Sequence, residues 1–293
     1  MPSNPDPREV GPKPPFPEQS QHHPGSVHEL RPQADHGEKS YQGAGRLEGR
    51  IAIITGADSG IGRAVAIAFA KEGANIVMSY LPEEEPDAAD VVTAIKNCGR
   101  KAIPFPGDIG SPGYARELVD VAMKEFGSVD IVVNNAGFQM THQKIEEISE
   151  EEFEHTFRTN VFGTFFLTKA ALTKMRPGGA IINTASIQVY EPSKELIAYA
   201  ATKAAIANMT KSLAKLAADA GIRVNAVAPG PVWTPLIPST MPQEKVKTFG
   251  QNSLFGRPAQ PIEMAKVFVF LASADASYVS GEIFSATGGR TPL

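Results

Sequence analysis

Arg50-Ile-Ala-Ile-Ile-Thr-Gly-Ala-Asp-Ser-Gly-Ile-Gly62 decides the fold of this chain. Its first six residues form a short apolar run bounded by polar residues, which predicts a strand buried on both faces. Glycines follow at 56, 60 and 62, and an apolar helical pattern then runs to Gly73. Without side chains, such a turn lets backbone approach a pyrophosphate, and the helix behind it offers free N–H groups and the positive end of its dipole. The spacing is G-x-x-x-G-x-G, distinct from the G-x-G-x-x-G fingerprint. No Gly-Lys-Ser/Thr follows, which excludes a nucleoside-triphosphate loop, and no G-x-S-x-G elbow is present.

Outward from this unit the same alternation repeats. Further strands are expected at residues 74–80, 102–106, 129–134, 179–185, 222–227 and 282–285, with helical patterns between them. Apolar strands alternating with helices specify an α/β fold, a doubly wound parallel sheet of about seven strands with helices on both faces. No internal repeat is visible. Residues 1–46 differ in kind: they are rich in Pro, Gln, His, Glu and Gly, with Phe16 and Tyr41 the only aromatic residues. The expectation is a Pro-rich arm laid on its own or a neighbouring subunit, followed by one domain over residues 47–293.

The chain has 293 residues, 42% of them hydrophobic, and a net charge of −4, which gives no electrostatic basis for binding nucleic acid or an anionic membrane. One cysteine, Cys98, cannot close an internal disulfide, and no apolar run approaches bilayer length. A cytoplasmic protein is expected. Four of the six histidines lie in the arm without regular spacing or a carboxylate cluster, so no metal site is expected.

Tyr199-Ala-Ala-Thr-Lys203 places a phenol and an ammonium four residues apart, on one face of a helix. A nearby cation favours the phenolate, so this pair is a candidate proton carrier. Gly107-Asp-Ile109 and Asn134-Asn-Ala-Gly137 follow the third and fourth strands, where ligands of open α/β sheets bind.

The glycine turn, Asn134-Asn-Ala-Gly137, Ser186, Tyr199-x-x-x-Lys203 and Pro229-Gly230 together resemble the short-chain dehydrogenase/reductase superfamily. They occur in that family's order over about residues 48–290. The arm, Ser79-Tyr-Leu-Pro-Glu-Glu-Glu85 and Trp233-Thr-Pro-Leu-Ile-Pro238 resemble its glucose/ribitol dehydrogenase-like and general-stress subgroup.

The resemblance implies a Rossmann-type NAD(P)-dependent oxidoreductase, transferring hydride between nicotinamide and a carbonyl or alcohol of the aldehyde, sugar or polyol class. A catalytically silent nucleotide-binding regulator is the alternative. Tyr199 would be the general acid/base. Lys203 would lower its pKa and bind ribose, Ser186 would hydrogen-bond the substrate oxygen, and Asn160 would hold a relay water. Cofactor contacts would come from Gly56, Asp58, Ser59, Gly60, Ile61, Gly62, Tyr80, Asp108, Ile109, Asn134, Ala136, Gly137, Pro229, Gly230, Val232 and Thr234, together with Tyr199 and Lys203.

Gln139, Gln188, Tyr190 and Trp233 are candidate substrate contacts, under a mobile lid at about 233–256. Tyr80 stands where an acidic residue usually takes the ribose of NAD. Glu83 to Glu85 would repel a 2′-phosphate, although Arg63 stands near enough in sequence to meet one; the balance leans slightly to NAD. The resemblance also implies a homotetramer.

Overall fold

The computed structural model describes residues 5–290. The apolar runs form strands and the amphipathic stretches between them form helices. In chain order these are β1 Ile51–Thr55, α1 Gly60–Lys71, β2 Asn75–Tyr80, α2 Glu85–Asn97, β3 Ala102–Pro106, α3 Pro112–Phe126 and β4 Ile131–Asn134. Then follow α4 Glu150–Phe157, α5 Gly163–Leu172, β5 Ala180–Thr184, α6 Ile197–Ala217, β6 Arg223–Pro229, α7 Leu236–Thr240, α8 Gln243–Lys247, α9 Pro261–Ala272 and β7 Ile283–Ala286. All seven expected strands are present.

They make one parallel sheet in the order β3-β2-β1-β4-β5-β6-β7, with β1 in register beside both β2 and β4. Strand order reverses between β1 and β4, which opens a crevice at their C-terminal ends. Pro104 and Pro106 lie in β3, at the sheet edge, where an absent N–H breaks no ladder.

Alternate residues of β1 enter different cores. Ala52 and Ile54 pack with Phe69 of α1 and Phe268 of α9, whereas Ile53 packs with Leu118 of α3 and Leu167 of α5. All seven are fully buried, and each Leu or Phe so placed contributes about 2 kcal/mol of apolar burial. The stretch expected to be helical from 150 to 174 is interrupted: residues Arg158–Phe162 form a single wide π turn, and Asn160 sits in it. Such turns carry i→i+5 bonds and re-aim the residues within them.

Residues 5–49 contain no helix or strand and lie on the chain's own domain. They bury Phe16, Val27, Leu30, Tyr41 and Leu47. Glu72, just past α1, holds the arm's far end: it accepts from Arg46 Nη2 at 2.7 Å, from the backbone N–H of Ala44 at 2.8 Å and from the Tyr41 hydroxyl.

Candidate active site

The crevice between β1 and β4 widens into a cavity of about 560 Å³. The glycine turn lines one wall through Gly56, Asp58, Ser59, Gly60 and Ile61; Tyr80 closes the end of β2, and Asp108 with Ile109 follows β3. Ala136, Gly137 and Gln139 come from the segment after β4, Ser186 and Gln188 from that after β5, and Pro229, Gly230, Val232 and Thr234 from the end of β6 and beyond. Tyr199 and Lys203 reach in from α6.

Local chemistry sets these positions. Gly56 has φ +59°, and a Cβ on Gly62 would strike the Gly56 carbonyl oxygen, so the turn closes only with glycine at both places. Thr55 Oγ1, at the end of β1, accepts from the backbone N–H groups of Asn135 and Ala136 at 2.9 and 3.0 Å, which ties the two loops of the crevice together.

Lys203 Nζ donates to the Thr184 carbonyl at 2.8 Å and lies 5.3 Å from the centroid of the Tyr199 ring. Ser186 Oγ accepts from the Gln188 N–H at 3.2 Å, which leaves its proton free to donate. Burial pushes the Tyr199 phenol up to about 12, and a hydrogen bond with Ser186 draws it partly back. Burial lowers Lys203 to about 8. The expectation that the ammonium holds this phenol below its ordinary value is corrected here. The cation sits over the ring face and bonds a carbonyl, and its own charge is weakened by desolvation.

Five candidates stand outside the cavity lining. Gly62 is spent on the turn. Asn134 donates from Nδ2 to Asn183 Oδ1 at 2.8 Å and to Thr168 Oγ1 at 3.1 Å, so it braces β4 against β5 and α5. Asn160 is fully buried; its Oδ1 accepts from the Phe138 N–H at 2.7 Å, and its Nδ2 donates to Phe138 O at 2.9 Å and Thr202 Oγ1 at 3.0 Å. Tyr190 packs with Ala185, Ala226 and Ala228 behind β5 and β6. Trp233 is fully buried, stacked on Phe16 of the arm at 4.1 Å, with its indole N–H on Pro32 O at 2.8 Å. As the largest apolar side chain of its segment it gains more from this pocket than from a wet cleft, and neither Tyr190 nor Trp233 lines the cavity.

The segment 233–256 carries the short helices α7 and α8, and Leu236, Ile237, Met241 and Phe249 face the cavity from it. It is tied down on both sides. Gln139 Nε2 donates to Thr240 Oγ1 at 2.9 Å, and Lys245 pairs with Glu195.

Over residues 56–291 the sequence matches the family described as enoyl-(acyl carrier protein) reductase. It is 49% identical over 276 residues to an uncharacterized oxidoreductase, YghA, of Escherichia coli, covering 94% of each chain. The chain belongs to the short-chain dehydrogenase/reductase family. It is an oxidoreductase of that family by these matches, and 42% identical over 280 residues to glucose and ribitol dehydrogenase of Daucus carota, covering 94% of this chain and 96% of that one. Among solved structures it resembles a short-chain dehydrogenase of Burkholderia cenocepacia in complex with NADP, at TM-score 0.78 and 29% identity, covering 83% of this chain and 98% of that one.

This short-chain dehydrogenase/reductase also brings to its cavity residues that its sequence motifs do not announce. His23, Pro24 and Gly25 come from the arm, Glu83 and Glu84 from the segment after β2, and Phe138, His155 and Thr159 from the β4–α5 region. His23 and His155 flank Phe138 edge-on, with ring centroids 5.0 and 4.7 Å away. Among the described residues neither carboxylate oxygen of buried Asp58 has a hydrogen-bond partner. Burial raises both Asp58 and Glu84 above the usual carboxylate range; the charge of Asp87 pushes Asp58 further up, and that of Asp58 does the same to Glu84. Only the three-glutamate run hinted at this acidic corner in the sequence; nothing local marks the arm's contribution.

Proposed function

We propose that the cavity binds a nicotinamide dinucleotide, and that residues at its floor exchange a proton with a carbonyl or alcohol oxygen of an aldehyde, sugar or polyol. The convergence of Ser186, Tyr199 and Lys203 on the cavity opened by the glycine turn carries this reading. The residues fit such a ligand: Asp58 offers two buried acceptors without donors, which suit ribose hydroxyls, and the glycine turn presents bare backbone for a pyrophosphate.

The bound nicotinamide would supply or accept the hydride. Tyr199, held protonated by burial, is set to donate to the substrate oxygen, and Ser186 donates to the same atom as charge develops on it. A Cβ on Gly137 would lie 3.5 Å from Asn160 Oδ1 and 3.6 Å from Lys203 Nζ, so both atoms face one small polar space. A water there would link Asn160 to the ammonium, which supports the relay role for Asn160. The name of the carrot relative supports a sugar or polyol substrate, and Gln139 and Gln188 are the polar groups suited to its hydroxyls.

NADP in the Burkholderia neighbour supports the phosphorylated cofactor, against the slight lean to NAD drawn from the sequence. This chain's own residues support NAD: Arg63 is held by Glu38 at 3.0 Å, while Asp58, Glu83 and Glu84 line the cavity. Titration with NADH and NADPH in parallel separates the two. Exposed Phe153, Phe162 and Phe165 on the α4–α5 tract, with Ile197 and Leu216 on α6, support packing of further copies there. Among the described residues no helix is long and apolar enough to cross a membrane.

The test is Tyr199→Phe assayed on a panel of aldehydes, aldoses and polyols. Turnover is expected to fall by about 10³, with nucleotide affinity nearly unchanged. Near wild-type turnover in this variant, or nucleotide binding without turnover of any panel member by the wild type, would overturn the reading.

A further inference from the structure

The arm crosses the mouth of the cavity. On one bank, Gln21 N–H donates to Pro238 O at 2.9 Å, and Phe16 N–H donates to Lys247 O at 2.9 Å. On the other bank, Val27 N–H donates to Asp87 Oδ2 at 2.8 Å, near the start of α2. His28 Nε2 stands 3.4 Å from Asp87 and 3.3 Å from Asp90. Between these anchors, His23, Pro24 and Gly25 line the cavity.

We infer that residues 21–28 are a built part of the nucleotide site, a strap that joins the α7 bank to the α2 bank and holds the dinucleotide in the crevice. The inference rests on the nucleotide reading of the cavity given above. It gives the arm a role in binding that no motif of the dehydrogenase domain specifies.

The composition of the strap suits that place. Pro24 turns the chain without leaving an amide donor stranded over the ligand. Gly25 allows backbone to meet backbone: a Cβ there would stand 2.5 Å from Pro235 O and 2.7 Å from Gln21 Oε1. Its φ is not in the left-handed region, so the conflict an alanine meets is steric, with Pro235 on the α7 bank and with Gln21 within the strap. His23 stands edge-to-face with Phe138, and both residues line the cavity.

The anchor on α2 is buried against solvent competition. Val27 and Asp87 are each about 4% exposed. Phe16 stacks on Trp233 and Leu30 is fully buried, so the strap is tethered by apolar contacts on either side of it. Order in the strap is therefore supplied before ligand arrives, which lowers the entropy that binding must offset. Such a strap acts chiefly on escape, and its loss is read in the dissociation rate.

The experiment uses the full chain and follows NADH and NADPH by fluorescence, with Kd from titration and dissociation rate from stopped-flow displacement. Gly25→Ala, which pushes the strap off the α7 bank, and His23→Ala, which removes a side chain from the cavity lining, are each expected to speed dissociation roughly tenfold, about one hydrogen bond's worth of binding. Asp87→Ala, which releases the other anchor, should do the same and guards against a fold defect in any one variant. Hydrogen exchange of residues 21–28 should accelerate in Gly25→Ala and Asp87→Ala and slow when nucleotide is added to wild type. Unchanged Kd and dissociation rates in all three variants, with wild type binding nucleotide, would overturn the strap alone. Failure of wild type to bind either nucleotide would overturn the nucleotide reading and the strap with it.

Discussion

Lys203 is a cation about 2% exposed whose only hydrogen bond among the described residues runs to the Thr184 carbonyl. Desolvation lowers it from 10.5 to about 8. Between those values the unfolded chain binds the proton that the folded chain gives up, so stability rises with pH across the window from 8 to 10.5. Below pH 8 the folded protein carries the full penalty, on the order of 3 kcal/mol. Lys203→Met removes that penalty and loses one hydrogen bond worth about 1 kcal/mol. The ligand-free variant is therefore expected to be more stable than wild type at pH 7 by about 2 kcal/mol, and to lack the rise toward pH 10. Thermal melts at both pH values check this, and a variant less stable at pH 7 would show the ammonium to be a net stabiliser. The spacing of Tyr199 and Lys203 was legible in the sequence, because a helix fixes which residues share a face. The height of the phenol's pKa was not, since it depends on burial contributed by the segments that enclose α6.

Glu72 joins two elements, the end of α1 and the arm. Burial would raise its carboxyl, yet donors from Arg46, Tyr41 and Ala44 outweigh that and bring it to about 2. A carboxyl held below its ordinary 4.5 contributes stability that is whole above pH 4.5 and is lost as pH falls toward 2. Glu72→Gln keeps the shape and removes the charge. It is expected to cost about 2 kcal/mol at pH 7, with the difference from wild type shrinking below pH 4.5 and vanishing only as pH falls to about 2. Trypsin should cut after Arg46 faster in the variant, because the arm's far end is then weakly held. A wild-type-minus-variant stability difference that is flat with pH would place Glu72 outside this role. Composition alone marks residues 1–46 as unable to fold independently, which is a statement about their own apolar content. It says nothing of where Phe16 and Leu30 find partners, and those partners, Trp233 among them, lie some two hundred residues away. The break at Arg158–Phe162 was hidden for a related reason: helical periodicity over 150–174 reads through a one-residue insertion in the turn.

The whole sheet was legible because each strand is a short apolar run whose partners follow from connection rules, and strand order then places the crevice. Gly56, Asp108, Gly137 and Tyr199 were legible as cavity residues because each sits at or just beyond a strand end, or on a helix facing one. His23, Glu84 and Phe138 were harder to read, since their approach is set by tertiary packing and not by any repeat along the chain. The same limit applies to assembly. Phe153, Phe162 and Phe165 are exposed, as are Ile197 and Leu216, and five large apolar side chains left in water on this tract and α6 favour association. We propose four copies, the family's expected assembly, with this surface buried between them. Light scattering at micromolar concentration is then expected to give about four times the mass of one chain. A double variant, Phe165→Glu with Leu216→Glu, adds charge only at exposed positions, so each folded chain should keep its helix content and its nucleotide affinity. Burying two unpaired carboxylates in an interface of standard size, roughly 1,600 Å² or more, should split the assembly into smaller species. Wild type running as a monomer would overturn the tetramer, and a double variant that stays tetrameric would move the interface to another face of the sheet.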